Sequence, residues 1–195
     1  MVIAKDELVK EDILYHAQQL FQQFGLKKTT MDEIAEACGK AKSTLYHYFR
    51  GKEEVFDEVI QMELTNLRVL VKNHVEEKKY VRDKIIIYFI KFHEEVLSMI
   101  NIYRIVKHEL MNNDLVRVYF HRLMEFEKSY ITRILEDGYD SGEFTEIDKQ
   151  SIPWFSEVLL AAFFGIVRYS IETEAEFDQR KLEFAAEVLL SKIFI

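Results

Sequence analysis

An all-α fold is predicted for this chain of 195 residues, and three features of its sequence predict it. Six glycines and one proline are few interruptions, so long helices are left unbroken. Apolar residues recur at three- and four-residue spacing, the period of a helix with one buried face. Hydrophobic residues make up 49% of the chain, enough to bury a sizeable core as one domain or as a small domain joined to a larger one.

The first helix is expected from about Lys10 to Phe24. Ile13, Ala17, Leu20, Phe21 and Phe24 form its apolar stripe, and Gly25 follows as a stop. A second, short helix opens at Thr30, with Glu33 three residues on as the partner of a capping box. Met31, Ile34, Ala35 and Cys38 fall at i, i+3, i+4 and i+7 on its buried side. Gly39 supplies the permissive backbone of a tight turn. In a third short helix Leu45 and Phe49 point inward, while Lys42, Ser43, Tyr46 and His47 lie on the other side. Two short helices about a glycine turn make a helix-turn-helix, and the first helix would cover them as a three-helix unit.

The stretch Gly39–Glu54 stands out chemically. Between Ala37 and Lys52 there is no acidic side chain, whereas the whole chain has a net charge of -8. Lys40, Lys42, Arg50 and Lys52 sit beside Ser43, Thr44, Tyr46, His47 and Tyr48, all donors able to meet phosphate oxygens or base edges. Residues 1–52 carry one excess positive charge and the remainder nine excess negative ones. Nucleic-acid binding would therefore be local to the N-terminal face, and the acidic remainder would discourage nonspecific coating of DNA.

The run TTMDEIAEACGKAKSTLYHYFRGKEEVF resembles the DNA-binding domain of TetR-type transcriptional regulators. Thr30, Ile34, Ala35, Gly39, Leu45, Tyr46, Phe49, Lys52 and Glu53 fit that family's pattern at ungapped spacing. Three positions depart from it: Lys40 stands where the family usually has an apolar residue, Ala41 where it often has Ser, and Tyr48 where it often has His. Ala41 cannot cap the recognition helix. The resemblance implies a helix-turn-helix DNA-binding domain over residues 1–52 and a helical ligand-binding and dimerisation domain over 53–195. It implies phosphate contacts from Thr30, Tyr46 and Lys52, with Lys42, Ser43, Thr44, His47 and Tyr48 as candidates for base edges. It further implies a repressor, released from a palindromic double-stranded operator by a small-molecule effector.

Downstream, a long connecting helix is expected from about Lys52 to Glu77, and Val75–Arg82 reads as its linker end. Ile85–Leu97 is apolar on most sides, as a central helix would be. A shorter helix is expected over Asn101–Met111 and a long one over Leu115–Glu136. Asp137-Gly138 and Ser141-Gly142 mark a turn-rich connection. Phe92, Tyr103, Tyr119, Phe120, Phe126, Trp154 and Phe163 could line an apolar cavity for the effector. Glu94, Glu109 or Glu125 would suit a cationic one if it faced inward.

Ser151-Ile152-Pro153 starts the penultimate helix. Val158, Ala161, Ala162 and Gly165 present small residues there, and Leu182, Ala185, Ala186, Leu189, Leu190 and Ile193 repeat helically in the last. The pattern alone allows either a plain intramolecular core or an interface. The resemblance favours a homodimer through Val158, Ala161, Ala162, Gly165, Leu182, Ala186, Leu189, Leu190 and Ile193.

An enzyme is the rival class. There is no H-E-x-x-H, G-x-S-x-G, Walker-type loop or C-x-x-C. His93 with Glu94 and Glu95, and His108 with Glu109, are sequence neighbours that point in different directions on a helix. No catalytic residue, metal or cofactor is expected. The single Cys38 is expected to pack rather than react. No secretory signal is read at the N-terminus, and the apolar run Val158–Val167 is shorter than the ~20 residues of a membrane span. A cytoplasmic protein is expected. A helical adaptor with a non-functional DNA motif is the second alternative.

Overall fold

A computed structural model describes residues 5–102, 114–144, 146–173 and 175–191, with side chains at 6–99 and from Leu123 onward within those ranges. The regular elements are helices: α1 Lys5–Lys28, α2 Met31–Ala37, α3 Lys42–Tyr48, α4 Lys52–Glu76, α5 Val81–Ile102, α6 Asp114–Asp140, α7 Ile152–Thr173 and α8 Gln179–Leu190. The described residues contain no strand. Two compact units result, the second made of Asn66–Met99 and the chain from Phe120 onward, so that one boundary falls within α4 between Thr65 and Asn66; the division expected from the sequence was at 52.

In the first unit α1 buries Ile13, Leu14, Ala17 and Phe21. Phe24, counted in the apolar stripe, is instead 43% exposed, because Gly25 takes φ 81 and breaks the helical geometry just beyond it. A last turn, residues 26–28, carries the chain to α2. Gly39, at φ 62, makes the turn from α2 to α3, where a side chain would be strained. Phe21 meets Phe56 of α4 edge-on at 5.2 Å, and Ile34, Leu45, Phe49 and Val55 complete the core. The Gln18 amide donates to the Glu63 carboxylate on the flank of that core.

The second unit is built round α5. Val75 and Val81, each 2% exposed, anchor the two ends of the α4–α5 connection, so the expected linker end carries two core residues. Ile85, Tyr88, Phe89 and Phe92 are buried, as are Leu159, Phe163 and Val167 of α7, and the rings of Tyr88, Phe89 and Phe92 all meet Phe163, with Phe89 stacked on it at 4.4 Å. An Asp148 side chain caps the 3-10 turn Lys149–Ser151 ahead of α7, and Pro153 lies in the first turn of that helix. Lys149–Thr173 is long and apolar enough to cross a membrane by length and composition alone. Its Ile152, Leu159, Leu160, Phe163, Phe164 and Val167 face the protein core.

Gly138 is not a turn residue, as the sequence reading had it, but lies inside α6. A Cβ there would stand 2.7 Å from Val81 Cγ2 and 3.1 Å from a Phe144 ring carbon. The turn follows at Ser141-Gly142. In an open helix Gly→Ala would add about 1 kcal/mol of stability. Here Gly138→Ala is expected to cost about 1–2 kcal/mol through overpacking. Urea melts will check this, and the loss should shrink in a Val81→Ala background; an undiminished loss would place the strain elsewhere.

Candidate nucleic-acid interface

Leu45, fully buried, and Phe49, 1% exposed, pin α3 to the first unit's core. That anchoring turns Lys42, Ser43, Tyr46 and His47 outward together, all exposed, with Tyr46 at 49%. Thr44 and Tyr48 are half-buried at the edges of this face. Ala41 gives α3 no side-chain cap, as its chemistry requires. The Tyr48 hydroxyl donates to Asp6 of α1 at 3.1 Å, and its ring meets His47 edge-on at 5.0 Å.

Thr30 closes the expected capping box. Its hydroxyl oxygen accepts from Glu33 N–H at 3.3 Å, and its own N–H donates to the Glu33 carboxylate at 2.8 Å. Lys52 has a placement that spacing could not show. Its ammonium donates to the carbonyls of Leu26 at 2.8 Å, Lys27 at 3.1 Å and Thr29 at 3.0 Å. One lysine at the start of α4 thus ties down the end of α1 and the approach to the Thr30 cap. All three donors of the ammonium are engaged within the fold.

The expected ligand-lining residues separate in the second unit. Phe92 and Phe163 are buried and pack on each other at 6.0 Å. Phe126 is 50% exposed, with the Arg68 guanidinium 3.9 Å above its ring, and Trp154 is 69% exposed. Neither therefore lines an enclosed space with Phe92 and Phe163. Tyr103 lies outside the described residues, as do the side chains of Tyr119 and Phe120. Of the acids named for a cationic ligand, Glu94 is exposed and pairs with Lys91 at 2.7 Å, Glu125 is exposed, and Glu109 lies outside the described residues.

The buried carboxylate is Glu127, 2% exposed, which the sequence reading passed over. It accepts from the Tyr88 hydroxyl at 2.8 Å and from Arg68 of α4 at 3.2 Å. Burial pushes its pKa up against the pull of both partners, and the same burial drives the Tyr88 phenol well above its ordinary value. Tyr130, facing this site, is pushed up to about 12, chiefly by burial. A signal was available: Glu127 lies midway between Leu123 and Ile131, four residues from each, on the apolar stripe of α6.

His93 is the other buried polar side chain of α5, 1% exposed. The Ser170 hydroxyl donates to the Ile166 carbonyl at 3.0 Å, which leaves its oxygen to accept from His93 Nε2–H, also 3.0 Å away. Burial lowers the His93 pKa, against the opposing pull of Glu94. The unfolded chain therefore binds the proton that the folded one refuses. Stability is expected to fall as pH drops through the ordinary imidazole value of about 6.5. Urea melts at pH 7.5 and 5.5 should show a smaller fall for His93→Gln than for the parent chain; an equal fall would assign it to other groups.

The expected interface residues also divide. Val158, Ala161 and Gly165 are exposed on α7 and Ala162 is half-buried. On α8, however, Leu182, Ala186 and Leu190 are at most 2% exposed and face the unit's own core. Leu189 is half-buried, and Ile193 lies outside the described residues. The outward apolar residues of α8 are Phe184, 68% exposed, and Val188, 54% exposed. Their offset from the Leu182 stripe shows that the helical repeat marked the core rather than the outer face. Among the described residues no group of His, Cys, Asp and Glu could hold a metal ion.

A three-helix unit whose third helix presents a polar and basic face, followed by further helices, is the architecture of helix-turn-helix transcriptional regulators. Residues 13–59 match the family model described as bacterial regulatory proteins, tetR family. Relatives include the uncharacterized HTH-type transcriptional regulator YhgD of Bacillus subtilis, 27% identical over 72% of this chain and 74% of its own length. The HTH-type transcriptional repressor KstR2 of Rhodococcus jostii is 38% identical over 30% of this chain, a stretch that spans 28% of KstR2. Among solved structures, FadR from Bacillus subtilis in complex with stearoyl-CoA superposes with a TM-score of 0.68 at 21% identity, covering 94% of this chain and 98% of that one. The family match thus identifies residues 13–59 as a TetR-type helix-turn-helix segment, and the solved structures share the fold of the chain.

Proposed function

We propose that the chain acts as a homodimeric repressor. Each α3 enters one major groove of a palindromic operator, and a small-molecule effector bound in the second unit releases the DNA. The observation that carries the DNA reading is the outward face of α3, where Lys42, Ser43, Tyr46 and His47 stand together on a helix fixed from behind by Leu45 and Phe49. Lys42, Ser43 and His47, with Thr44 and Tyr48 at the margins, would read base edges. Tyr46 and Thr30 would meet phosphates, and Lys52 would hold the frame from which they do so. The first unit with the start of α4 serves DNA binding, and the remainder serves ligand and partner.

The dimer face is Trp154, Val158, Ala161 and Gly165 of α7, which recur along one side of that helix, with Phe184 and Val188 of α8. Six exposed, mainly apolar residues on the last two helices favour a protein contact over water. For the effector, the stearoyl-CoA bound by the Bacillus subtilis FadR favours a ligand with a long apolar part. The aromatic core of Tyr88, Phe92 and Phe163 is the chemistry that would receive it. Release would be a population shift: the effector favours a dimer whose recognition helices no longer match successive grooves. Such a regulator works in the cytosol, beside the DNA, and has no catalytic role.

Selection of sites from random duplex DNA by the purified protein tests this reading. The expected result is a palindrome with half-site centres about 34–36 Å apart. A folded dimer that enriches no sequence would overturn the operator reading. If it also showed no salt-sensitive retention on DNA, the helical adaptor would take its place.

A further inference from the structure

Two lysines of the DNA-facing segment, Lys40 and Lys42, are already matched with carboxylates contributed by neighbouring helices. Lys42 Nζ, at the start of α3, is 2.6 Å from Asp32 Oδ1 in the first turn of α2. Lys40 Nζ, in the turn, is 2.6 Å from Asp12 Oδ2 of α1. Lys40 draws the Asp12 carboxyl below its ordinary range, and both lysines are raised above theirs by their acids. Sequence alone shows a segment free of acids, because the acidic partners of Lys42 and Lys40 lie ten and twenty-eight residues away along the chain. Ion pairs this exposed add little to fold stability. Their consequence falls on what else can bind the lysines.

We propose that Asp32 and Asp12 are built-in counter-ions of the DNA-reading face, which phosphate must displace, and that they hold sequence-independent DNA binding weak. The inference rests on the DNA-binding reading above. A lysine that meets phosphate normally releases a condensed cation from the DNA, and that release strengthens binding at low salt. If the same lysine must first leave a carboxylate that stays beside it, the negative charge of the acid offsets the positive charge the lysine brings, and little net charge is offered to release a cation. The two cancel, and that lysine adds almost nothing to the salt dependence. The freed Asp32 also remains close to a phosphate, where like charges repel. The resulting loss of affinity is the same on every sequence, so only a site that supplies base contacts is held firmly. This device complements the excess negative charge of residues 53–195.

The test uses the full-length protein with a labelled random-sequence duplex, titrated across a series of salt concentrations. Wild type is compared with Asp32→Asn and Asp12→Asn, each checked by thermal melting. Asp32→Asn is expected to bind about 3- to 10-fold more tightly at the lowest salt, with a log–log salt slope steeper by roughly 0.9. Asp12→Asn should act in the same direction by a smaller factor, since the Lys40 side chain is only 22% exposed against 54% for Lys42. Tighter binding by a variant when wild type shows none at any salt also supports the inference. An unchanged slope and affinity in both variants would overturn it, as would weaker binding, which would make the acids positioning residues for the lysines. If neither wild type nor variants bind duplex at any salt, the DNA-binding reading itself falls.

Discussion

Glu127→Ala is expected to destabilise the second unit by about 2–4 kcal/mol. Removing one partner of a buried ion pair costs about 3–5 kcal/mol when both charges are buried. Here the Arg68 side chain is 28% exposed and recovers part of its hydration, whereas Glu127 is buried. The Tyr88 hydroxyl, fully buried, would lose its acceptor, and an orphaned buried donor costs about 1–3 kcal/mol. Two further variants separate the causes. Glu127→Gln keeps an acceptor for Tyr88 and should lose only about 1–2 kcal/mol. The triple change Arg68→Met, Glu127→Leu and Tyr88→Phe removes every polar member and should return most of the loss. Urea melts will decide; an alanine variant within 0.5 kcal/mol of wild type, on the order of an ordinary surface change, would mean that water replaces the carboxylate. Arg68 lies on α4, whose earlier residues belong to the first unit.

Lys52→Ala is expected to weaken binding to every DNA sequence alike and to lower the melting temperature. Resemblance to the family assigns Lys52 a phosphate, and the structure places its ammonium on three carbonyls. The two roles leave different traces. A phosphate contact alone would flatten the salt slope by about one and leave the fold's stability unchanged. A positioning role would cost about 1.5–3 kcal/mol, the worth of hydrogen bonds to a charged donor, and leave the slope almost untouched. The geometry favours the second. Loss of slope without loss of stability would return Lys52 to the phosphate.

The helix-turn-helix was legible because it is short and locally determined. The Thr30–Glu33 capping box, the Gly39 turn and the Leu45–Phe49 spacing each act within a few residues, and all stand as read. The second unit was less legible. Helical repetition found the long helices, yet could not say which stripe faced inward when a helix carried two. On α8 the Leu182, Ala186 and Leu190 repeat reads equally as core or interface, and the fold assigned it to the core. On α6 a carboxylate on an apolar stripe looked like an interruption until Arg68 and Tyr88 came into contact with it.

The sequence by itself determined the helical class, the recognition segment and the chemistry of its outward face, since backbone propensity, capping and amphipathic period are properties of neighbours along the chain. Tertiary structure alone decided which charges are balanced. Asp12 meets Lys40, Asp32 meets Lys42 and Glu127 meets Arg68 because helices distant in sequence pack side by side. Coulomb attraction depends on separation in space, and spacing along the chain does not reveal it.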